Sequence, residues 1–279
     1  MKVSWQAPDG NGAPVQGYEL SVFRGGEPVQ TLQTSGTSQT VTVDNTSQDY
    51  TFAVAAVNKV GKGETSALSA PRRAAGKPGA VTGVEIVPHN TAGAGQQVRL
   101  TFNELADSGL NGARRSEISY RWKASTSQGG SLDSTSQVLS GFTNGVSTTI
   151  TVYAVSTASG SAVEGSGTSS GAATPYGRPL PPRVQVHDAP AGSQQVKFTW
   201  DTPVSNGKTV DRLEWRHIAT TYPWDDPNPD HAGDLAPTAG SKSFKTGWED
   251  STTVEFRVCD VTGACSDGVM LTGRVGPAP

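Results

Sequence analysis

The chain has few of the features that commit a polypeptide to a membrane, to nucleic acid or to a helical architecture. No stretch stays apolar for the roughly eighteen residues that a membrane span needs, and the first residues show no basic segment followed by an apolar one. No membrane insertion is expected of this segment. Lysine and arginine number 22 against 25 aspartate and glutamate, a formal net charge of -3, so no basic field would draw nucleic acid. Charged residues are only 17% of the chain and do not gather in long runs, and long amphipathic helical patterns are missing.

Signals of catalysis are equally scarce. The four histidines, His89, His187, His217 and His231, form no HExxH or other ligand pair, so no metal site is predicted. There is no GxSxG elbow, no phosphate-cradling glycine loop opening a helix and no GxGxxG after a parallel strand. Glycine-rich pieces such as "TASGSAVEGSGTSSG" have no helix to supply a dipole and read as loops and strand edges. No catalytic residue and no cofactor is predicted, and the chain reads as non-enzymatic.

What is present is a repeat. In "VSWQAPDGNGAPVQGYELSV", Trp5 lies six residues before Asn11-Gly12 and thirteen before Tyr18. Trp200 stands at the same distances from Asn206-Gly207 and Leu213. In the middle of the chain Phe102 takes the tryptophan position, Asn111-Gly112 arrives three residues late, and Ile118 again follows the asparagine by seven. The anchors Trp5, Phe102 and Trp200 are separated by 97 and 98 residues, one period of a sandwich-sized domain.

Each anchor ends an alternating stretch, and a second alternating stretch follows each Asn-Gly turn: Tyr18-x-Leu20-x-Val22, Ile118-x-Tyr120-x-Trp122 and Leu213-x-Trp215-x-His217. A third comes late in each copy, as Tyr50-x-Phe52-x-Val54-x-Ala56, Ile150-x-Val152-x-Ala154 and Val254-x-Phe256-x-Val258. Period-two alternation puts these side chains on one face of a strand, and two such faces pack into a core about 10 Å thick. The expected fold is all-β, three antiparallel sandwiches with Trp5, Tyr18, Tyr50, Phe102, Tyr120, Trp200 and Trp215 as core anchors.

These residues carry a family resemblance. A tryptophan ending an early strand, a proline and Asn-Gly turn, Tyr-x-Leu-x-Val, and later Tyr50-x-Phe52-x-Val54-x-Ala56-x-Asn58 followed by Gly61 and Ser66 resemble the fibronectin type III domain. The likeness spans the chain in three copies and extends to tandem arrays in large actinobacterial, bifidobacterial-type cell-surface proteins. It implies three tandem immunoglobulin-like (fibronectin type III) sandwiches in a linear array. The second copy departs from the pattern by lacking the tryptophan, and Thr148 and Thr252 stand where the first copy has the corner tyrosine, Tyr50. The Pro- and Gly-rich "APRRAAGKPGAV" and "TPYGRPLPPRV" read as linkers, which places the domains at 1–77, 78–177 and 178–279. The first copy is expected to lack its first strand, because residues 1–3 already correspond to the strand that carries the anchor.

Cys259 and Cys265 enclose "DVTGA". Cys259 follows Val258 and is expected to point away from the core, where a disulfide would clip an exposed hairpin; two free thiols are the other possibility, and zinc lacks nearby histidines. Exported actinobacterial sandwiches of the resembled family carry a similar pattern of two cysteines with a glycine between them, and the resemblance implies an oxidising, extracellular or cell-surface location.

One segment departs from the repeat. "HIATTYPWDDPNPDHAGDLAPTAGSKS" is longer and richer in proline and acid than its counterparts. Tyr222 and Trp224, with the acidic rim Asp225, Asp226 and Asp230, are the candidate protein-binding residues. Asp226, Asn228 and Asp230 alternate as calcium ligands would, but the glycine falls at position eight of that frame instead of six, so no metal is assigned. The resemblance implies a monomeric, non-catalytic binding or adhesion array. A host surface protein or a cytokine of the tumour necrosis factor type is the candidate ligand. The alternatives are a passive spacer for an enzyme or carbohydrate-binding module and a binder of cell-wall polysaccharide.

Overall fold

Alternating valine, phenylalanine and tyrosine separated by turn-forming glycine and asparagine produce strands almost everywhere in this computed structural model, which describes residues 1–90, 93, 95–220 and 232–278. The helical content of the described residues is two single 3-10 turns, Asp107–Gly109 and Arg115–Glu117. No helix among them is long and apolar enough to cross a membrane.

In the first copy, β1 (Lys2–Ser4), β2 (Gly17–Arg24), β3 (Glu27–Thr34), β4 (Ser38–Thr40), β5 (Tyr50–Asn58) and β6 (Gly61–Thr65) form two antiparallel sheets, β1–β4 and β3–β2–β5–β6. The second contains β7 (Thr82–His89), β8 (Gln97–Asn103), β9 (Ile118–Ala124), β10 (Gly129–Leu132), β11 (Ser136–Ser140), β12 (Ile150–Ser156), β13 (Val163–Glu164) and β14 (Thr168–Ser169). Its sheets run β11–β8–β7 and β10–β9–β12–β13, with β14 also on β12. The third has β15 (Val184–His187), β16 (Gln195–Trp200), β17 (Val210–Thr220), β18 (Ala232–Leu235), β19 (Gly240–Lys245), β20 (Ser251–Asp260) and β21 (Val269–Arg274), arranged as β15–β16–β19 and β18–β17–β20–β21. The order is the same three times, except that the small sheet has two strands in the first copy and three in the others, and the larger sheet has five strands in the second copy and four in the others. The chain is therefore a tandem of β-sandwiches.

By contact density the chain divides into two units, Met1–Glu85 with Thr101–Gln137 and Ile150–Gly171, and Ile86–Leu100 with Val138–Thr149 and Ala172–Pro279. The first unit holds the first sandwich, whose core gathers Leu20, Val22, Val41, Tyr50 and Phe52. Trp5 meets Tyr18 edge-on at 5.4 Å, and Phe102 meets Tyr120 at 5.0 Å with the same 66° tilt. Phenylalanine thus replaces tryptophan without changing the contact. The second unit holds the core of the third sandwich, where Trp215 packs on Phe244 and Trp200 on Phe256. Tyr18, Tyr50, Phe102, Trp200 and Trp215 are buried, and Trp5 and Tyr120 are half-buried. The Tyr120 hydroxyl accepts the Leu105 N–H at 2.9 Å, a polar partner that holds the ring near the surface.

Two local devices recur with the strands. Tyr50 donates its hydroxyl to the Asp44 carbonyl at 3.1 Å and exchanges backbone bonds with Arg72. Thr148, exchanging the same bonds with Ala173, occupies that place in the second copy. Further along, a serine completes each last-strand ladder. Ser66 donates its N–H to Val54 while its Oγ accepts the Val54 N–H, and Ser170 and Ser266 do the same with Ile150 and Val258. A hydroxyl substitutes for the carbonyl that a strand irregularity has turned away.

Candidate functional site

Tyr222, Trp224, Asp225, Asp226 and Asp230 lie outside the described residues, as does His231. Their frame is described. β17 pairs with β18 from Leu213 opposite Leu235 to Arg216 opposite Ala232, so the segment joins two neighbouring strands of the larger third sheet. Around the β17–β18 pairing, Lys242 Nζ stands 4.2 Å from the Trp215 ring centre and Arg216 pairs with Glu255 at 2.8 Å.

Cys259 and Cys265 are joined in a disulfide. The hairpin is expected to be exposed at Cys259, but that side chain is wholly buried. It does leave the core face, but it lies opposite Arg212 of β17, and its sulfur is within 4.8 Å of the Glu214 carboxylate. The guanidinium groups of Arg212 and Arg257 each reach Glu214 at 2.6 Å, so an ionic layer with arginine stems covers the outer face there. Burial pushes the Glu214 carboxyl up, but hydrogen bonds from Arg257 and Arg212 outweigh it and hold the group below the usual carboxylate range. Glu214, Cys259 and Cys265 are the one cluster among the described residues near enough to hold a metal, yet both sulfurs are spent in the disulfide and offer no thiolate.

Of the histidines, His187 Nε2 meets Thr199 Oγ1 and His217 Nε2 meets Thr252 Oγ1, each at 2.9 Å. Both serve as cross-strand links.

The arrangement that sequence reasoning missed lies at the junctions. In the first, Asn45 Nδ2 donates to Asn111 Oδ1 at 2.8 Å, Asn111 Nδ2 to the Lys77 carbonyl at 2.9 Å, the Gly76 N–H to the Asn111 carbonyl at 2.9 Å, and the Thr46 N–H to the Ala74 carbonyl at 3.1 Å. In the second, Asn144 donates to Asn206 at 2.8 Å, Asn206 to the Arg178 carbonyl at 2.8 Å, the Gly177 N–H to Asn206 at 2.9 Å, and the Gly145 N–H to Pro175 at 2.9 Å. Four hydrogen bonds repeat partner for partner. The signal that could have found them is Gly76-Lys77-Pro78 recurring as Gly177-Arg178-Pro179, each upstream of an Asn-Gly turn.

Glycine is needed in both turns. Gly112 (φ 90°) and Gly207 (φ 93°) have left-handed backbones, and a Cβ on Gly207 would stand 2.6 Å from the Pro175 carbonyl oxygen and 2.8 Å from Tyr176 Cα. A Cβ on Gly112 would collide with the Ala74 carbonyl in the same way. The first junction adds ions: Arg73 grips both oxygens of Glu117 at 2.6 and 2.7 Å, and Arg114 reaches Asp49 at 3.5 Å. The Glu117 carboxyl is held below its ordinary value, first by the Arg114 backbone N–H, against burial, and then by the Arg73 guanidinium.

Residues 1–72 match the family model of the fibronectin type III domain. That match covers the first sandwich, and the repeated strand order makes the chain a tandem array of β-sandwiches. The solved FN1–FN3 domains of chicken CNTN1 match over 98% of this chain and 93% of that one, at 13% identity and a TM-score of 0.30. No curated protein matches the chain in sequence.

Proposed function

We infer that the chain is an extracellular, non-catalytic positioning array that presents a protein-binding surface. The duplicated junction carries this reading. A tether that only needs length does not require two asparagines, a left-handed glycine and a fixed linker carbonyl at every joint, whereas a device that holds binding loops at defined places does. Fibronectin type III domains commonly serve as binding modules or spacers, and the disulfide fits an oxidising compartment. Tyr222 and Trp224, with Asp225, Asp226 and Asp230, are the proposed contact residues, and a host surface protein or a tumour necrosis factor type cytokine is the proposed ligand class.

The test is a binding screen of the full chain against host surface proteins, cytokines and cell-wall glycans, repeated with Tyr222→Ala and Trp224→Ala combined. A protein ligand lost by the double variant supports the reading. Silence across the protein panel at micromolar concentration contradicts recognition and leaves the spacer, and a glycan hit replaces the protein ligand with a polysaccharide. The alternative is a passive spacer for an enzyme or carbohydrate-binding module. It predicts that the double variant leaves the parent's activity unchanged while Asn206→Ala alters it.

A further inference from the structure

The asparagines that hold the junctions are also chemically labile. Three of the chain's four Asn-Gly pairs lie there, at Asn111, Asn144 and Asn206. A glycine after asparagine sets no Cβ between its backbone nitrogen and the side-chain amide carbon, so the two can close a cyclic imide. The glycine nitrogen gives its proton to hydroxide and attacks Cγ, the Cγ–Nδ2 bond breaks, and ammonia leaves. Water then opens the imide at either carbonyl and leaves aspartate or isoaspartate. One water enters, one ammonia departs, and nothing is oxidised.

The three pairs are not equally restrained. Gly145 donates its N–H to the Pro175 carbonyl at 2.9 Å, which holds back the nucleophile beside Asn144. Among the described residues the N–H groups of Gly112 and Gly207 donate no hydrogen bond, so in those pairs only the asparagine is held. Asn206 is half-buried, and its partner Asn144 in turn accepts the Gln96 N–H at 2.7 Å, so the second junction is a relay of bonds. Asn111 and its partner Asn45 are both exposed. Gly112 is buried against linker backbone, so its nitrogen and the Asn111 Cγ can meet only when the joint opens. Besides its hydrogen bonds, ion pairs at a partly solvated surface close that joint: Arg73 with Glu117 and Asp49, and Arg114 with Asp49.

We propose that Asn111 is a site of spontaneous, irreversible deamidation, and that its conversion unlocks the first junction while the second stays closed. Asn111 Nδ2 is the donor to the Lys77 carbonyl. A carboxylate in its place has no proton to give and sets its negative charge against that oxygen. Isoaspartate goes further, because the main chain then runs through the former side chain and the carbonyl that accepts the Gly76 N–H is displaced. Each opening of the joint adds to the converted fraction, and no step restores the amide. A fixed joint thereby becomes a hinge with age. The proposal rests on the junction bonds and is independent of the ligand.

The full chain is incubated in mildly alkaline buffer, digested, and read by mass spectrometry for amide-to-acid conversion at each Asn-Gly pair, beside a synthetic peptide of residues 108–115. Asn111 is expected to convert ahead of Asn206 and Asn144, and about tenfold or more slower than in the peptide. Glu117 shares no hydrogen bond with Asn111, yet Glu117→Gln weakens the ionic clasp. It should speed conversion at Asn111 about threefold or more and leave Asn206 unchanged. In a second arm Asn111→Asp stands for the product, and it should raise hydrogen exchange at Gly76 about tenfold or more while Gly177 stays protected. These results support the proposal. Conversion at Asn206 or Asn144 as fast as at Asn111, no product at Asn111 even in Glu117→Gln, an unchanged rate in that variant, or a Gly76 amide still protected in Asn111→Asp overturns it.

Discussion

Asn144 donates its side-chain amide to the side-chain oxygen of Asn206 at 2.8 Å, and Asn45 makes the same bond to Asn111 at the same distance. Partners 62 and 66 residues apart are brought together twice by the same linker geometry. That repetition makes each junction a structural element in its own right.

Asn206→Ala removes both the Asn144 and the Arg178 bonds from a half-buried site and should destabilise the second junction by about 1–2 kcal/mol. Asn111 is exposed, so water replaces its partners, and Asn111→Ala should cost about half as much. Differential scanning calorimetry of the two variants reads the difference.

Three glycines with left-handed backbones should respond unequally to alanine. At Gly12 only the backbone conformation is penalised, about 1 kcal/mol. At Gly112 and Gly207 the methyl also meets linker backbone, so the loss should be about 3 kcal/mol or more. Denaturant midpoints of the three variants give the ranking.

The first junction should be acid-sensitive and the second much less so. Glu117 has a folded-state value below its ordinary 4.5, so its contribution is present above that value and is lost as pH falls through the lowered one. Thermal scans between about pH 5 and pH 2 should show this loss, and Glu117→Gln should flatten that part of the profile.

Reducing the Cys259–Cys265 bond frees a loop of sequence separation 6 and should destabilise the third sandwich by about 2 kcal/mol on the chain-entropy account. Because the bond lies in that sandwich, reductant should lower its transition and leave that of the first sandwich in place.

Much of this was legible in the sequence because a strand's period of two assigns faces without any knowledge of partners. Val196, Phe198, Leu213, Val254, Phe256 and Val258 are all fully buried as that rule requires. The same rule sends Cys259 to the outer face of its sheet, where it lies, but does not say whether that face is wet. The ion pairs of Glu214 with Arg212 and Arg257, spread over two strands, cover that face. The Asn-Gly turns were visible as turns, but what they hold was not. Asn45 and Asn144 are ordinary polar residues in polar loops, and their role exists only once residues more than sixty positions away are folded against them. Tyr222 and Trp224 remain an inference from composition, drawn from aromatic side chains set among prolines and acids.

The most direct test of the repeated junction is amide hydrogen exchange at Gly76 and Gly177, whose N–H groups donate to the Asn111 and Asn206 carbonyls at 2.9 Å. Both should be protected about a hundredfold or more relative to an unstructured chain, and Gly207→Ala should release Gly177 while leaving Gly76 protected. Exchange of both amides at the rate of an open linker in the unmodified chain would contradict the account.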